Sequence, residues 1–310
     1  MPAGYVAVIG AVNVDIRGRS FAPLIARDSN PGEVRTSFGG VGRNIAHNLR
    51  RLGVGAEMLT VLGGDDAARR IEADCASAGI VLHAVRVANG QTSSYLYITG
   101  PDGDMALAVC DADLTKHVTP AVIEQNLALL NGAELVVLDG NLTEKTIACA
   151  AAHIKKPLFA DPVSVTKSEK LKPFLDRLHT IKPNRLEAEL LTGHKVETAE
   201  DAEAAAQILL DKGIRQAYVS LGTEGVLAAQ GEERIFFPSF KSETVSLTGA
   251  GDAFTAGLVY AYFQDEDFAQ AGRTASAAAA IAIQSMETIN ERMSPGYLRR
   301  VIRENKEDVT

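Results

Sequence analysis

Thr248-Gly249-Ala250-Gly251-Asp252 sets a run of small residues and one carboxylate directly ahead of an apolar helical stretch. Consecutive small residues let the main chain approach a ligand closely. At a helix start their unpaired N–H groups point outward and the helix dipole presents its positive end. Such a place suits an anion, and a phosphoryl group in transit is one. A carboxylate beside it can accept the proton of an attacking hydroxyl. Asp252 is therefore a candidate base, and Gly249, Ala250 and Gly251 a candidate anion hole. Alone, Asp252 reads equally well as an acid steadying its own helix, worth about 0.3–1 kcal/mol. The packed glycines favour chemistry, because a plain helix start does not need them.

Three further groups add to this. Phe38-Gly39-Gly40-Val41-Gly42-Arg43-Asn44 places three glycines before a helix, either for close approach to a ligand or for an ordinary tight turn. It lacks the Gly-Lys-Ser/Thr ending of a Walker loop and the acidic partner of a dinucleotide fingerprint. Lys182-Pro183-Asn184-Arg185-Leu186-Glu187 ends a strand at proline and opens a helix. Asn184 and Glu187 have the spacing of a capping box. They also fall at the carboxyl edge of a sheet, where ligands of α/β proteins sit. Asn13-Val14-Asp15 follows the first strand. Asp15 is suited to accepting hydrogen bonds from sugar hydroxyls, or is a turn carboxylate.

The elements that must position these groups alternate along the chain. Val6–Val12 reads as a buried strand, Gly42–Leu52 as a helix, Glu57–Leu62 as a strand and Asp65–Ala78 as a helix. Later segments continue the alternation through helices at Val122–Leu130, Thr143–His153, Arg185–Leu191, Ala199–Lys212, Ala253–Phe263 and Phe268–Gln284. A parallel sheet covered on both faces follows. Strands at Ile16–Ile25 and Glu33–Phe38, and others around 90–110, have no helices between them and predict a small separate sheet forming a lid. Tyr95 and Tyr97 alternate with Leu96 and Ile98 at strand period, which favours sheet packing.

Composition narrows the class. The 310 residues are 46% hydrophobic, enough for a full core. Net charge is −8, from 31 basic and 39 acidic residues, which argues against nucleic-acid binding. Cys75, Cys110 and Cys149 form no Cys-x-x-Cys pair, and the six histidines show no metal spacing. Met1–Gly10 lacks the pattern of a signal peptide, and Ala275–Ile283 is too short to span a membrane. A cytoplasmic protein with no membrane or nucleic-acid partner is expected.

The four motifs, in this order, resemble the ribokinase-like (PfkB) family of sugar and nucleoside kinases, from Asn13 to the Ala-rich helix past Ala275. The resemblance implies a single kinase domain over 1–310. Its fold would be α/β, a three-layer sandwich with a mostly parallel central sheet and a small β-sheet lid from segments about 14–38 and 90–110. It implies ATP and Mg2+. Asp252 matches the family's base, and Gly249, Ala250 and Gly251 its anion hole. Asp15, Gly40 and Asn44, with Asn13 beside them, match residues that hold ribose. Asn184, Ser220 and Gly222 match the nucleotide region, and Glu187 the magnesium region. Many relatives bind K+ near an aspartate six residues before the base; Ser246 stands there, leaving backbone carbonyls as ligands. Stretches such as Asp28-Ser29-Asn30-Pro31-Gly32 and Gly39–Ala46 resemble the branch that phosphorylates pseudouridine, with Ser29 and Asn30 reading a uracil-like edge or forming a plain turn. Val41 stands where ribokinases usually have lysine, which argues against ribose. The expected reaction converts ATP and pseudouridine to ADP and pseudouridine 5′-phosphate. Ribose, uridine or inosine are alternative acceptors, and a non-catalytic nucleotide-binding regulator is a further one. The open sheet edges of the lid imply a homodimer.

Overall fold

The computed structural model describes residues 4–305; the first three residues of the Met1–Gly10 stretch lie outside the described residues. Among the described residues, thirteen strands form two sheets. The first segments are β1 (Tyr5–Ile9), β2 (Asn13–Ser20), β3 (Gly32–Gly39), α1 (Val41–Arg51), β4 (Gly55–Gly63), α2 (Asp66–Ser77), β5 (Val81–Val87), β6 (Ser94–Thr99) and β7 (Met105–Asp111). Next come α3 (Pro120–Gln125), α4 (Leu127–Gly132), β8 (Leu135–Asp139), α5 (Glu144–His153), β9 (Leu158–Asp161), α6 (Val165–Ser168), β10 (Thr180–Ile181), α7 (Arg185–Thr192) and α8 (Ala199–Asp211). The chain continues through β11 (Gln216–Ser220), β12 (Gly225–Gln230), β13 (Glu233–Pro238), α9 (Ala250–Phe263), α10 (Phe268–Ala282) and α11 (Pro295–Glu304).

The large sheet has the order β13-β12-β11-β10-β9-β8-β1-β4-β5. It is parallel from β5 to β11, and the β11-β12-β13 meander is antiparallel. Strand β8 is buried at every position, as a central parallel strand covered on both faces must be. One face packs on α1, α2, α9, α10 and α11, through Ile45, Leu49, Ile71, Val259, Ile281 and Leu298. The other packs on the helices between β7 and β11, through Ile123, Leu130, Ile147, Leu191 and Leu209. The architecture is the expected ribokinase-like α/β one: a large, mostly parallel sheet with helices on both sides. No helix among the described residues is long and apolar enough to cross a membrane.

The small sheet is β3-β2-β6-β7, antiparallel except for the β2/β6 pair. Alternation divides its residues between two faces. Asp15, Arg17, Tyr95 and Tyr97 share one. Val34, Ile16, Leu96, Ile98, Leu107 and Val109 share the other. Leu107 and Val109 are each 61% exposed, and Val34 72%.

Several boundaries differ from the sequence reading. Strand β2 stops at Ser20, and Phe21–Ile25 is exposed loop, since Pro23 cannot donate to a ladder. The Val122–Leu130 helix is two helices broken at Asn126, whose amide hydrogen-bonds back to the Val122 carbonyl. Helix α9 starts at Ala250 rather than Ala253. The 3-10 stretch Glu169–Arg177 and α11 had no counterpart in the periodicity.

Candidate active site

Helices α1 and α9 each begin without a side-chain cap of their own, at Gly40 (φ 98°) and Gly249 (φ 81°). Only glycine adopts these backbone angles without strain. Space demands it too: a Cβ at Gly40 would lie 2.4 Å from the Ala11 carbonyl oxygen, and one at Gly249 2.5 Å from that of Thr288. For α1 the missing cap comes from across the sheet. The buried Asp139 at the end of β8 accepts hydrogen bonds through Oδ2 from the N–H groups of Ala11 (2.9 Å) and Gly42 (3.0 Å). The start of α9 borders a cavity of about 440 Å³, with the Ala250 N–H turned back to the Leu247 carbonyl at 3.4 Å. Ala250, Gly251, Lys182, Ser220, Gly222 and Leu247 help to line it.

The two helix mouths meet at one contact. Asn44 Nδ2 donates to Asp252 Oδ2 at 2.8 Å. Asn44 Oδ1 accepts from Arg43 Nη1 at 3.5 Å. The same guanidinium donates to the Phe38 carbonyl at 2.8 Å and pairs with Asp74. An arginine only donates, so it fixes which end of the Asn44 amide faces Asp252. Burial, and next the neighbouring Asp161 carboxylate, push the Asp252 pKa up to about 8. The Asn44 hydrogen bond and Lys182 act in the opposite direction without prevailing.

Asp15 lies beside the first glycine turn. Its Oδ1 accepts from Asn13 Nδ2 at 2.5 Å, and its Oδ2 fills the space where a side chain at position 39 would stand. Burial raises its pKa, against the pull of Asn13 and Arg43.

Asn184 and Glu187 form the complete capping box of α7. Glu187 N–H donates to Asn184 Oδ1 at 3.0 Å, and Asn184 N–H to Glu187 Oε2 at 2.8 Å. Neither lines the cavity, but Asn184 bridges to Ser220, which does. Burial raises the pKa of Glu187, against the pull of the Asn184 N–H and the Lys182 ammonium. The described residues contain no group of three or more metal-ligating side chains. A single carboxylate still fits Mg2+, which keeps several waters and takes its other ligands from substrate phosphates. Ser246 Oγ accepts from the Thr248 N–H at 3.2 Å, a purely local contact.

The structure does not bring Ser29 and Asn30 to this cluster. They sit at the far end of the lid, where Ser20 pairs with Gly32. Ser20 lies five residue steps along the strand from Asp15, about 17 Å at ~3.4 Å per residue. The Asn30 amide is spent on the turn, accepting from Ile25 N–H at 2.8 Å and donating to the Ile25 and Asp28 carbonyls.

Sequence reasoning gave no role to Asp139, Asp161 or Lys182. All three stand at or just past the ends of adjacent strands β8, β9 and β10. A polar residue closing an apolar strand at the carboxyl edge of a parallel sheet is the signal that would have found them.

Comparison with known proteins agrees with this geometry. The family described as pfkB family carbohydrate kinase matches residues 3–294. Pseudouridine kinase of Escherichia coli (strain K12) is 34% identical over 296 residues, covering 94% of both chains. The uncharacterized sugar kinase YeiI of the same organism is 35% identical over 293 residues, covering 94% of this chain and 81% of its own. The structure of Arabidopsis thaliana ribokinase complexed with ribose and ATP superposes with a TM-score of 0.86 at 24% identity, covering 97% of this chain and 99% of that one. In motif order, in fold and in overall sequence alike, the chain belongs to the pfkB family of carbohydrate kinases.

Proposed function

We propose that this kinase transfers the terminal phosphoryl group of ATP to the 5′-hydroxyl of pseudouridine, with Asp252 as the base. The observation that carries the reading is a half-buried carboxylate, hydrogen-bonded to Asn44, in the first turn of a helix whose Ala250 and Gly251 line a cavity. ATP would lie with its base between the β11–β13 side and α10, near Ser220 and Gly222, and its phosphates over Gly249–Gly251. Mg2+ would sit on those phosphates, with Glu187 reaching it through water, and would neutralise phosphate charge. Asp15, Asn13, Asn44 and the Gly40 backbone would hold the ribose. Orientation of both reactants removes much of the entropic barrier. Asp252 takes the hydroxyl proton as the new O–P bond forms, and the electron pair of the breaking bond leaves on ADP. Potassium held by backbone carbonyls near Ser246 completes the proposed ion set.

We extend the proposal to the whole chain as one kinase domain acting in the cytoplasm. It would be a homodimer whose subunits cover each other's lids, since Val34, Leu107 and Val109 form an apolar sheet face that water would otherwise meet. The similarity to a relative named only as a sugar kinase favours ribose or another nucleoside as the second reading. ADP release with pseudouridine, uridine, inosine and ribose, in K+ and in Na+, tests both. Pseudouridine is expected to give the highest kcat/KM, and a larger value for any other acceptor transfers the assignment to it.

A further inference from the structure

Lys182 closes β10 and sits at the floor of the cavity, with its side chain 10% exposed. Its Nζ lies 2.8 Å from where a Cβ on Gly251 would be. Gly251 has no positive φ, so its backbone does not require glycine. What requires it is room for an ammonium group directly beneath the first turn of α9. The partner of that ammonium is Asp161, at 3.7 Å, well beyond the ~2.8 Å of a good charge-assisted bond. Asp161 is otherwise satisfied. Its Oδ1 accepts from Val163 N–H at 3.0 Å and its Oδ2 from Thr255 Oγ1 at 3.1 Å. A lysine has three donors to place. A buried cation on a loosely held pairing, with a cavity above it, is built to meet an arriving anion rather than to staple two strands.

We propose that Lys182 is a catalytic residue whose ammonium contacts the phosphoryl group during transfer, from beneath Gly251. It moves no proton and forms no bond. The hydroxyl proton goes to Asp252, the O–P bond forms at the acceptor, and the leaving electron pair stays on ADP. Lys182 offsets charge on the phosphoryl oxygens at the point where the backbone N–H groups of α9 do the same. Desolvation works against its charge, but Asp161, Glu187 and Asp252 outweigh that and keep it protonated.

The inference rests on the phosphoryl-transfer reading of the site. Its test uses the full chain as wild type, Lys182→Met, Lys182→Arg, and the double variant Lys182→Met with Asp161→Asn, which removes the Asp161 carboxylate together with its ammonium partner. Two quantities are read: kcat and KM for Mg·ATP with the four acceptors, and affinity for Mg·ADP with and without aluminium fluoride, a mimic of the phosphoryl group in flight. Loss of one preorganised electrostatic donor costs about 10²–10³-fold. Lys182→Met is therefore expected to lower kcat by about that factor while KM for ATP changes less than about threefold. Aluminium fluoride should tighten ADP binding in wild type and only weakly in the Met variants, and Lys182→Arg should recover part of both. Retention of kcat in Lys182→Met, or an equal loss of ADP and ADP–fluoride affinity, overturns the proposal. Wild type inert toward all four acceptors sinks the acceptor reading instead, and the fluoride comparison still decides the role of the lysine.

Discussion

The proposed base must be ionised to work, yet burial and Asp161 push the Asp252 pKa up to about 8 in the folded protein. Between the ordinary carboxylate value of 3.8 and about 8 the folded chain therefore binds more protons here than the unfolded chain does. Two consequences follow by linkage. For the free enzyme, kcat/KM is expected to climb as pH rises toward about 8 and then level off. Over the same window this group's contribution to stability falls as pH rises. Asp252→Asn, which mimics the protonated form, is expected to lose at least about two orders of magnitude in turnover. It should melt no lower than wild type at pH 8.5, and relatively less well at pH 5; a scanning-calorimetry series across pH reads this directly. Asp252 was legible in the sequence because its glycine neighbours are local. Asp139, Asp161 and Lys182 were not, since what marks them is contact with residues far along the chain: Ala11, Thr255 and Gly251.

Elements were read well where a single period dominates. The strand–helix alternation, with helices such as Gly42–Leu52 and Ala199–Lys212, has a local cause. Reading failed where a tertiary partner sets the boundary. Helix α9 reaches back to Ala250 because Gly249 turns the chain against Thr288, a contact invisible in the run of small residues. The stretch 169–177 carries Pro173 inside it and has no 3.6-residue period to detect. The glycine starts of α1 and α9 make the sharpest prediction at this scale. Gly40→Ala must hold a side chain at positive φ and against the Ala11 carbonyl. A loss of about 1–3 kcal/mol or more is expected, seen as a lower urea midpoint with unchanged m-value. Gly103→Ala, also at positive φ but with open space around its Cβ, separates the backbone strain from the clash and should cost less.

At the scale of the molecule, the lid grows directly from the core: only residues 10–12 separate β1 from β2. Its outer face carries Leu107 and Val109, and its inner face Asp15. Leu107→Glu combined with Val109→Glu is expected to give a monomer by sedimentation equilibrium, with the ATP site intact by ADP binding. A dimer that survives the change would place the interface elsewhere. Ser29 and Asn30, at the far lid end with the Asn30 amide spent on its own turn, are expected to leave KM for acceptor and ATP alike nearly unchanged in Ser29→Ala with Asn30→Ala; a rise of about tenfold in the acceptor constant alone would return them to the substrate site. The lid was legible as two helix-free segments, but its register was not, because pairing β2 beside β6 in parallel needs the whole fold between them.

The converging mouths of α1 and α9 divide labour in a way that bears on how such a protein can change. On the proposed reading, phosphate meets main-chain amides and one ammonium rooted in the core, where few substitutions are tolerated. The alcohol would be chosen largely by side chains on a strand pair that hangs outside the core. Drift in those side chains can therefore explore new acceptors while the transfer machinery stays in working order, so a lineage can swap its cargo without rebuilding its engine.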